Sequence, residues 1–485
     1  MLLNPNHFLA LPRPHVAIGL PAGVPDTSTL AAHDFDVDTR TGFLPPQVPL
    51  TRLPPLWEQW EAVLEDAGRR RIQLGDKAGI SSAEQESSAT WRASIASLPI
   101  LPTDDLERSE YLLRRAHHVL SFIMHIFIHS LPPSEPILIP APLTIPLLQV
   151  SAELRIPPTN NYTDNVLYNW AHKVQPSSES SEALPTLDNL ACQTLFTGTP
   201  DEEAFYLAST RIELRGVEAL ELMRASMDEL FHSDATAERR LTSYLTSISV
   251  VIRELRTLLL GVRAGCDPEV FYNQIRPWFK GADSDARERP WVFGGLEEHP
   301  ELAEPVELSG PSAGQSPLVH ALDIFLGVDR YSHAAPSSGG QASSAAPQAT
   351  ERAAFLERMQ IYMSRHHRNF LRHLSHTPRP LRDFVERSKN PALLAAYNES
   401  VQALKEFRDS HMIIVALYII GPAKKARERA AAQAQAEQGT QGGSAPPAVR
   451  GALKGTGGTD LVKFLKGVRD RTAGALLTIV TRRAL

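Results

Sequence analysis

The sequence predicts an all-α protein with more than one domain. Apolar residues recur at three- and four-residue steps along several runs, while sustained alternation at period two is missing, as are the Asn-Gly and Asp-Gly pairs that mark hairpins. At 485 residues the chain has room for two or three domains of ~100–200 residues each.

The first ~55 residues are proline-rich and aperiodic, and GFLPPQVPLTRLPP reads as extended, packed coil. Leu113, Ala116, Leu120, Ile123 and Phe127 then mark a helix. The longest apolar stretch, Pro136 to Val150, is interrupted by Pro140, Pro142 and Pro146 and falls short of the ~18–20 residues that span a bilayer. Leu241, Leu245, Ile248, Ile252, Leu255, Leu259 and Val262 form one face of a second, longer helix. Residues 334–350, rich in Ser, Ala, Gly and Pro, read as a flexible loop. Leu404, Phe407, His411 and Val415 make a third stripe, expected to stop sharply at Gly421-Pro422. Residues 423–454 start as a helical extension and dissolve into GTQGGSAPPAVRG, a second flexible loop of the kind that often forms a lid. A glycine-rich segment then gives way abruptly to a last helix. No internal repeat is present.

Composition excludes several classes. The formal net charge is −6, so the basic surplus of a duplex-binding protein is missing. Two cysteines, Cys192 and Cys266, rule out a disulfide scaffold and a CxxC zinc or redox site. The N-terminus lacks the basic region of a secretory signal. The expectation is a soluble, cytoplasmic, monomeric protein without nucleic-acid or membrane partners.

Candidate chemistry starts from the 17 histidines. His125 and His129 share a helix face at metal-site spacing, but without an HExxH glutamate and with apolar neighbours they read as packing residues. His366, His367, His373 and His376 stand among Arg365, Arg368 and Arg372, and read as a solvated or anion-facing surface. Gly455-Thr456-Gly457-Gly458-Thr459-Asp460 lacks the Gly-Lys-Ser/Thr of a phosphate loop. It reads either as a plain helix cap or as a place where free N–H groups receive a carboxylate. His411 lies mid-helix on an apolar face, which is what a haem axial ligand needs. A merely buried histidine looks identical. Arg408 shares that face and could reach a haem propionate.

Four segments in order decide between these readings: GFLPPQVPLTRLPPLWEQWE, SAGQSPLVHALDIFLGV (Ser312–Val328), RDSHMIIVALYI around His411, and GTGGTDLVKFLKGVR (Gly455–Arg469). MQIYMSRHHRNFLRHL (Met359–Leu374) adds a fifth. Together, from about residue 40 to residue 480, they resemble the indoleamine 2,3-dioxygenase family.

The resemblance implies an all-helical fold with a small N-terminal domain, 1–195, covering the distal side of the pocket, and a larger domain, 196–485, that binds haem b. It implies His411 as the iron ligand, Asp323 as the carboxylate that orients His411, and Ser312, Ala313 and Arg408 as further haem neighbours. Phe205 and Ser209 match distal-pocket positions, spaced i,i+4 on one helix face. Tyr162 and Phe271 match the indole walls. Arg276 matches the substrate-carboxylate clamp, with Pro277 expected to hold it out of helical geometry; Thr456 is the second carboxylate contact. The implied reaction joins O2 to the indole 2,3 bond of L-tryptophan and related indoleamines, giving N-formylkynurenine, the first step of the kynurenine pathway, with a separate electron donor keeping the iron ferrous. Ser209, Phe271 and Arg276 are the residues implied to act in catalysis, and no distal base is assigned.

The chain departs from the family at Asn165, where relatives often carry cysteine, so a changed pocket floor is expected. It also departs in the 423–454 connection and around residues 70–95. The rivals are a non-enzymatic O2-binding haem protein and a low-activity, tryptophan-responsive paralogue. An oxygen store has no use for the carboxylate contacts Arg276 and Thr456.

Overall fold

A computed structural model describes residues 34–175, 184–232, 234–284, 289–328, 356–376, 381–438 and 461–477. Residues 1–33, 334–350, 439–454 and Thr456 lie outside the described residues. The fold is helical, as the apolar periodicity requires. In chain order the helices are α1 (Glu58–Arg70), α2 (Ser82–Ala96), α3 (Glu110–His129), α4 (Ala141–Leu154), α5 (Pro200–Arg215), α6 (Val217–His232) and α7 (Ala235–Gly261). They continue with α8 (Pro317–Phe325), α9 (Arg365–Ser375), α10 (Leu381–Ser388), α11 (Pro391–Val415), α12 (Gly421–Gln438) and α13 (Leu461–Gly474). Four three-residue strands escaped the sequence reading. β1 (Ile137–Ile139) pairs in parallel with β4 (Trp291–Phe293), and β2 (Trp170–His172) pairs antiparallel with β3 (Leu190–Cys192). Three residues are too few for alternation to stand out from noise.

Helix ends follow local chemistry. Ser81 and Glu84 form a capping box at the start of α2, so the second half of the divergent stretch around residues 70–95 is ordinary helix. Thr199 caps α5, with Pro200 in its first turn, and Asn390 caps α11 ahead of Pro391. The stripe on α7 buries Leu241, Leu245, Ile248, Ile252 and Leu255, and packs lengthwise on α11. At their crossing the fully buried Ser400 donates to the Leu245 carbonyl at 2.7 Å, and its small side chain permits close approach.

Gly421-Pro422 does not end the third helical stripe. α11 passes through a π-helical turn, Ala416–Ile420, directly into α12, so the helical extension expected from residue 423 is continuous with α11. Proline has no N–H and clashes with a carbonyl one turn back; at the first turn of a new helix, after a register shift, neither matters. Two further π-helical turns, Thr163–Leu167 and Phe271–Ile275, follow Tyr162 and begin at Phe271.

The described apolar residues form two large cores. One gathers α1–α4 with the segment 262–293, including Trp91, Phe122, Ile139, Phe271 and Trp278. The other gathers α6, α7, α8 and α11 with residues 162–170. His125 is a packing residue: its Nδ1–H donates to the Trp278 carbonyl at 2.8 Å while Nε2 accepts from the Asn160 N–H. His129 donates to the Lys280 carbonyl at 2.9 Å. The His366 group divides: His373 and His376 are solvent-exposed, His366 is half-buried and His367 is buried. His366 meets Glu110 at 2.9 Å, and His367 is fully buried against Phe43 with its Nε2 on the Asp36 carbonyl. The N-terminal coil that covers these histidines comes from far away in sequence, which local spacing could not reveal.

Candidate active site

A cavity of about 160 Å³, partly open to solvent, lies where α5, the end of α7, α8, α11 and α13 converge. Its walls are largely apolar, with Phe205, Val262, Val319, Phe407 and Ile414 drawn from four elements. Tyr162, Ser209, Ala313, Asp323, Arg408 and His411 also line it, so with Phe205 seven sequence-nominated residues from four distant segments meet in one space.

His411 makes no hydrogen bond among the described residues, and its ring faces the cavity. Burial, reinforced by the neighbouring Arg408 guanidinium, pushes its pKa down to about 4. The imidazole is therefore neutral at physiological pH, with a lone pair to offer. Asp323 does not bond to it. Both Asp323 oxygens instead accept from Arg408 Nη2, one of them at 2.6 Å, and Arg408 Nη1 meets the Thr472 hydroxyl on α13. Arg408 and Asp323 are each 8% exposed. The guanidinium sits three residues before His411, on the same face and nearer to Asp323, so it captures the carboxylate.

This pairing makes Asp323→Ala a stability mutation as well as a pocket mutation. Removing one member of a buried ion pair leaves the other uncompensated, at a cost of about 3–5 kcal/mol. Urea unfolding of the haem-free protein is expected to register that loss. A haem-free variant as stable as wild type would remove the ion pair as a source of stability.

Phe271 stands behind the wall, its ring 4.5 Å from that of Phe205, and Phe279 completes the aromatic group. Arg276 is buried beyond it, with its guanidinium carbon 5.7 Å from the Tyr272 ring centre, and does not line the cavity. Its backbone is helical (φ −53°, ψ −36°), contrary to the expectation from Pro277. Proline disfavours that region in its predecessor without forbidding it, and here Arg276 opens a 3-10 turn, Arg276–Phe279, with Pro277 in its first positions. Ser312 is likewise off the wall: its hydroxyl accepts from the Gly314 N–H at 3.2 Å and caps the short turn Ala313–Gln315. Asn165 is buried in the π-helical turn after Tyr162 and does not form the pocket floor.

Three polar residues of the site were missed by sequence reasoning. Ser316 and His320 line the cavity, and Glu213 lies behind Tyr162. His320 bonds the Gly314 carbonyl at 2.9 Å. Only Glu213 left a readable signal, since it continues the face of Phe205 and Ser209 by another helical turn.

Burial raises the Glu213 carboxyl to about 7. The unfolded chain titrates near 4.5, so between these values the folded chain holds a proton that the unfolded chain has lost. Stability then falls as pH rises from about 4.5 to 7, at about 1.4 kcal/mol per pH unit for this one group. Glu213→Gln is expected to remove that component, so the variant should gain on wild type between pH 5 and pH 8 in urea unfolding. Parallel pH profiles would show that Glu213 does not titrate in this window.

The described residues contain no cluster of three His, Cys, Asp or Glu side chains suited to an ion held by protein alone. A single neutral histidine on the wall of an apolar cavity that opens to solvent suits a metal that brings its own macrocycle. No helix among the described residues is long and apolar enough to cross a membrane.

The sequence profile of the family described as "Indoleamine 2,3-dioxygenase" matches residues 31–475. The indoleamine 2,3-dioxygenase of Saccharomyces cerevisiae is 31% identical, over 90% of this chain and 92% of its own. Indoleamine 2,3-dioxygenase 1 of Rattus norvegicus is 29% identical, over 92% and 95% respectively. A 6-hydroxytryptophan 2,3-dioxygenase of Fusarium equiseti is 31% identical, over 90% and 95%.

Proposed function

The chain belongs to the indoleamine 2,3-dioxygenase family, and from that premise we propose that it opens the indole 2,3 bond of L-tryptophan with O2, giving N-formylkynurenine. The observation that carries this reading is the neutral, unbonded His411 imidazole on the wall of an apolar cavity. His411 would hold haem b there, and the haem would supply the oxygen and electron chemistry.

The chain's own residues bind, orient and exclude water. Val262, Val319 and Ile414 offer the apolar surface that a macrocycle needs, and Ala313 leaves room for its edge. Arg408, held by Asp323 and Thr472, is a fixed positive charge, with guanidinium donors left over for a propionate. Tyr162 and Phe205 border the space for the indole, and Phe271 packs behind Phe205 so that the ring cannot swing away. Arg276 is the carboxylate clamp in this reading, with Thr456 as its second contact. Ser209, on the Phe205 face of α5, offers a hydroxyl but no base, so proton movement is left to the substrate and oxygen themselves. The division at 195/196, a separate electron donor, and a cytoplasmic monomer belong to the same proposal. Two free thiols suit a reducing compartment.

The test is formation of N-formylkynurenine from tryptophan after haem loading and reduction. Product is the expected outcome. A protein that takes up haem and binds CO in the ferrous state, yet makes no product, would be an oxygen-binding protein instead.

A further inference from the structure

Glu213 is fully buried on α5. Its Oε1 accepts from the Tyr162 hydroxyl at 3.0 Å and from the Ser316 hydroxyl, while Oε2 has no hydrogen-bond partner among the described residues. Tyr162 and Ser316 both line the cavity, and they come from segments more than 150 residues apart. The Tyr162 N–H also donates to Gln315 Oε1 at 2.9 Å, so backbone and phenol are tied to the same turn. One carboxyl group thus joins three elements of the cavity wall.

Charged and titratable groups on the surrounding elements are occupied elsewhere. On α5, Arg211 donates to the Leu187 carbonyl at 2.9 Å and Arg215 to Glu254 at 2.6 Å. Beside Tyr162, Asp164 meets His117 at 2.9 Å. On α8, His320 bonds the Gly314 carbonyl and Asp323 bonds Arg408. On α7, Arg253 pairs with Glu399, and in the N-terminal turn Arg40 pairs with Asp38. With no cation among the described residues to balance it and Oε2 without a hydrogen-bond partner among them, the group favours its neutral acid form. A neutral acid can accept two hydroxyl bonds without setting a charge behind the wall that receives an indole.

We propose that Glu213 is a positioning residue for the substrate cavity, fixing the Tyr162 ring against the indole by holding the Tyr162 and Ser316 hydroxyls together. The inference rests on the reading of this cavity as the tryptophan site. Glu213 touches neither substrate nor haem and acts through Tyr162.

The experiment is a cycle on the haem-loaded protein with Glu213→Met, Glu213→Gln, Tyr162→Phe and the Tyr162→Phe/Glu213→Met double variant. Haem content, kcat and KM for tryptophan are measured, together with Kd from the tryptophan-induced shift of the Soret band. Met fills the space without accepting a bond; Gln keeps a carbonyl oxygen for both hydroxyls. Glu213→Met should raise KM and Kd about 10-fold, the scale of one buried hydrogen bond, with a smaller change in kcat and unchanged haem content. Glu213→Gln should stay within about 2-fold of wild type. In the Tyr162→Phe background Glu213→Met should cost clearly less, because the Tyr162 bond is already gone and only the Ser316 bond is left to remove. Equal losses in both backgrounds, or a Gln variant as poor as Met, would overturn the proposal. If the Met variant does not fold, Gln must still keep the wild-type Kd and Tyr162→Phe must still weaken it. A wild type that neither shifts its Soret band nor forms product would overturn the tryptophan reading itself, whereas a wild type that does both, with equal losses in the two backgrounds, removes Glu213 alone.

Discussion

His411→Ala is expected to purify without stoichiometric haem and to show no tryptophan turnover. His411 lines the cavity with a neutral ring that bonds to nothing else among the described residues, so the protein offers an axial lone pair there and uses it for no structural bond. The neighbouring polar groups cannot take over. His320 is tied to the Gly314 carbonyl, and Arg408 and Asp323 are tied to each other. Because the ring has no protein partner to lose, the haem-free variant should keep wild-type helicity and urea stability. Haem content by pyridine haemochromogen, the ferrous-CO Soret band and far-ultraviolet circular dichroism together make the check. Normal haem content with an unchanged Soret band would remove His411 as the ligand, and the functional reading with it.

Arg276→Lys and Arg276→Ala are expected to keep haem and bind CO normally, but to lose most of kcat/KM for tryptophan. A guanidinium meets a carboxylate at two points, whereas an ammonium is a point charge without that fork. Arg276 is buried beside the Phe205–Phe271–Phe279 aromatic group, and burial already disfavours its charge. Truncating one partner of a desolvated ion pair costs about 2–5 kcal/mol, or roughly 30-fold to several thousand-fold in binding. Tryptamine has no carboxylate and should respond far less. The measurement is the ratio of kcat/KM, wild type over variant, for each of the two substrates. Equal ratios would make Arg276 a structural residue. Since Arg276 stands behind the cavity wall, the result also decides whether it reaches the substrate from there.

The amino-acid sequence by itself determined the helical class and the residues that face inward. A stripe at 3.6-residue spacing is a local property, so α3, α7 and α11 could be read from Leu113, Leu241 and Leu404 onward without knowing what they pack against. The same arithmetic put His411 on the inner face of α11, and Ser209 on the face of Phe205. Tertiary structure alone decided which partner each polar group takes. Asp323 was expected to bond His411 and went to Arg408, whose guanidinium engages both of its oxygens. Pro277 and Pro422 were read as breaking helical geometry, yet both sit in the first turn of a new helical segment, where a missing N–H costs nothing. His367 looked solvated among arginines until the N-terminal coil, over 320 residues away, covered it. Glu213 was not singled out in the sequence, although it continues the face of Phe205 and Ser209 on α5. Its burial, its bonds to Tyr162 and Ser316, and its raised pKa exist only because three segments distant in sequence close around it. Periodicity is set by each residue's neighbours along the chain, whereas desolvation and hydrogen bonding are set by its neighbours in space.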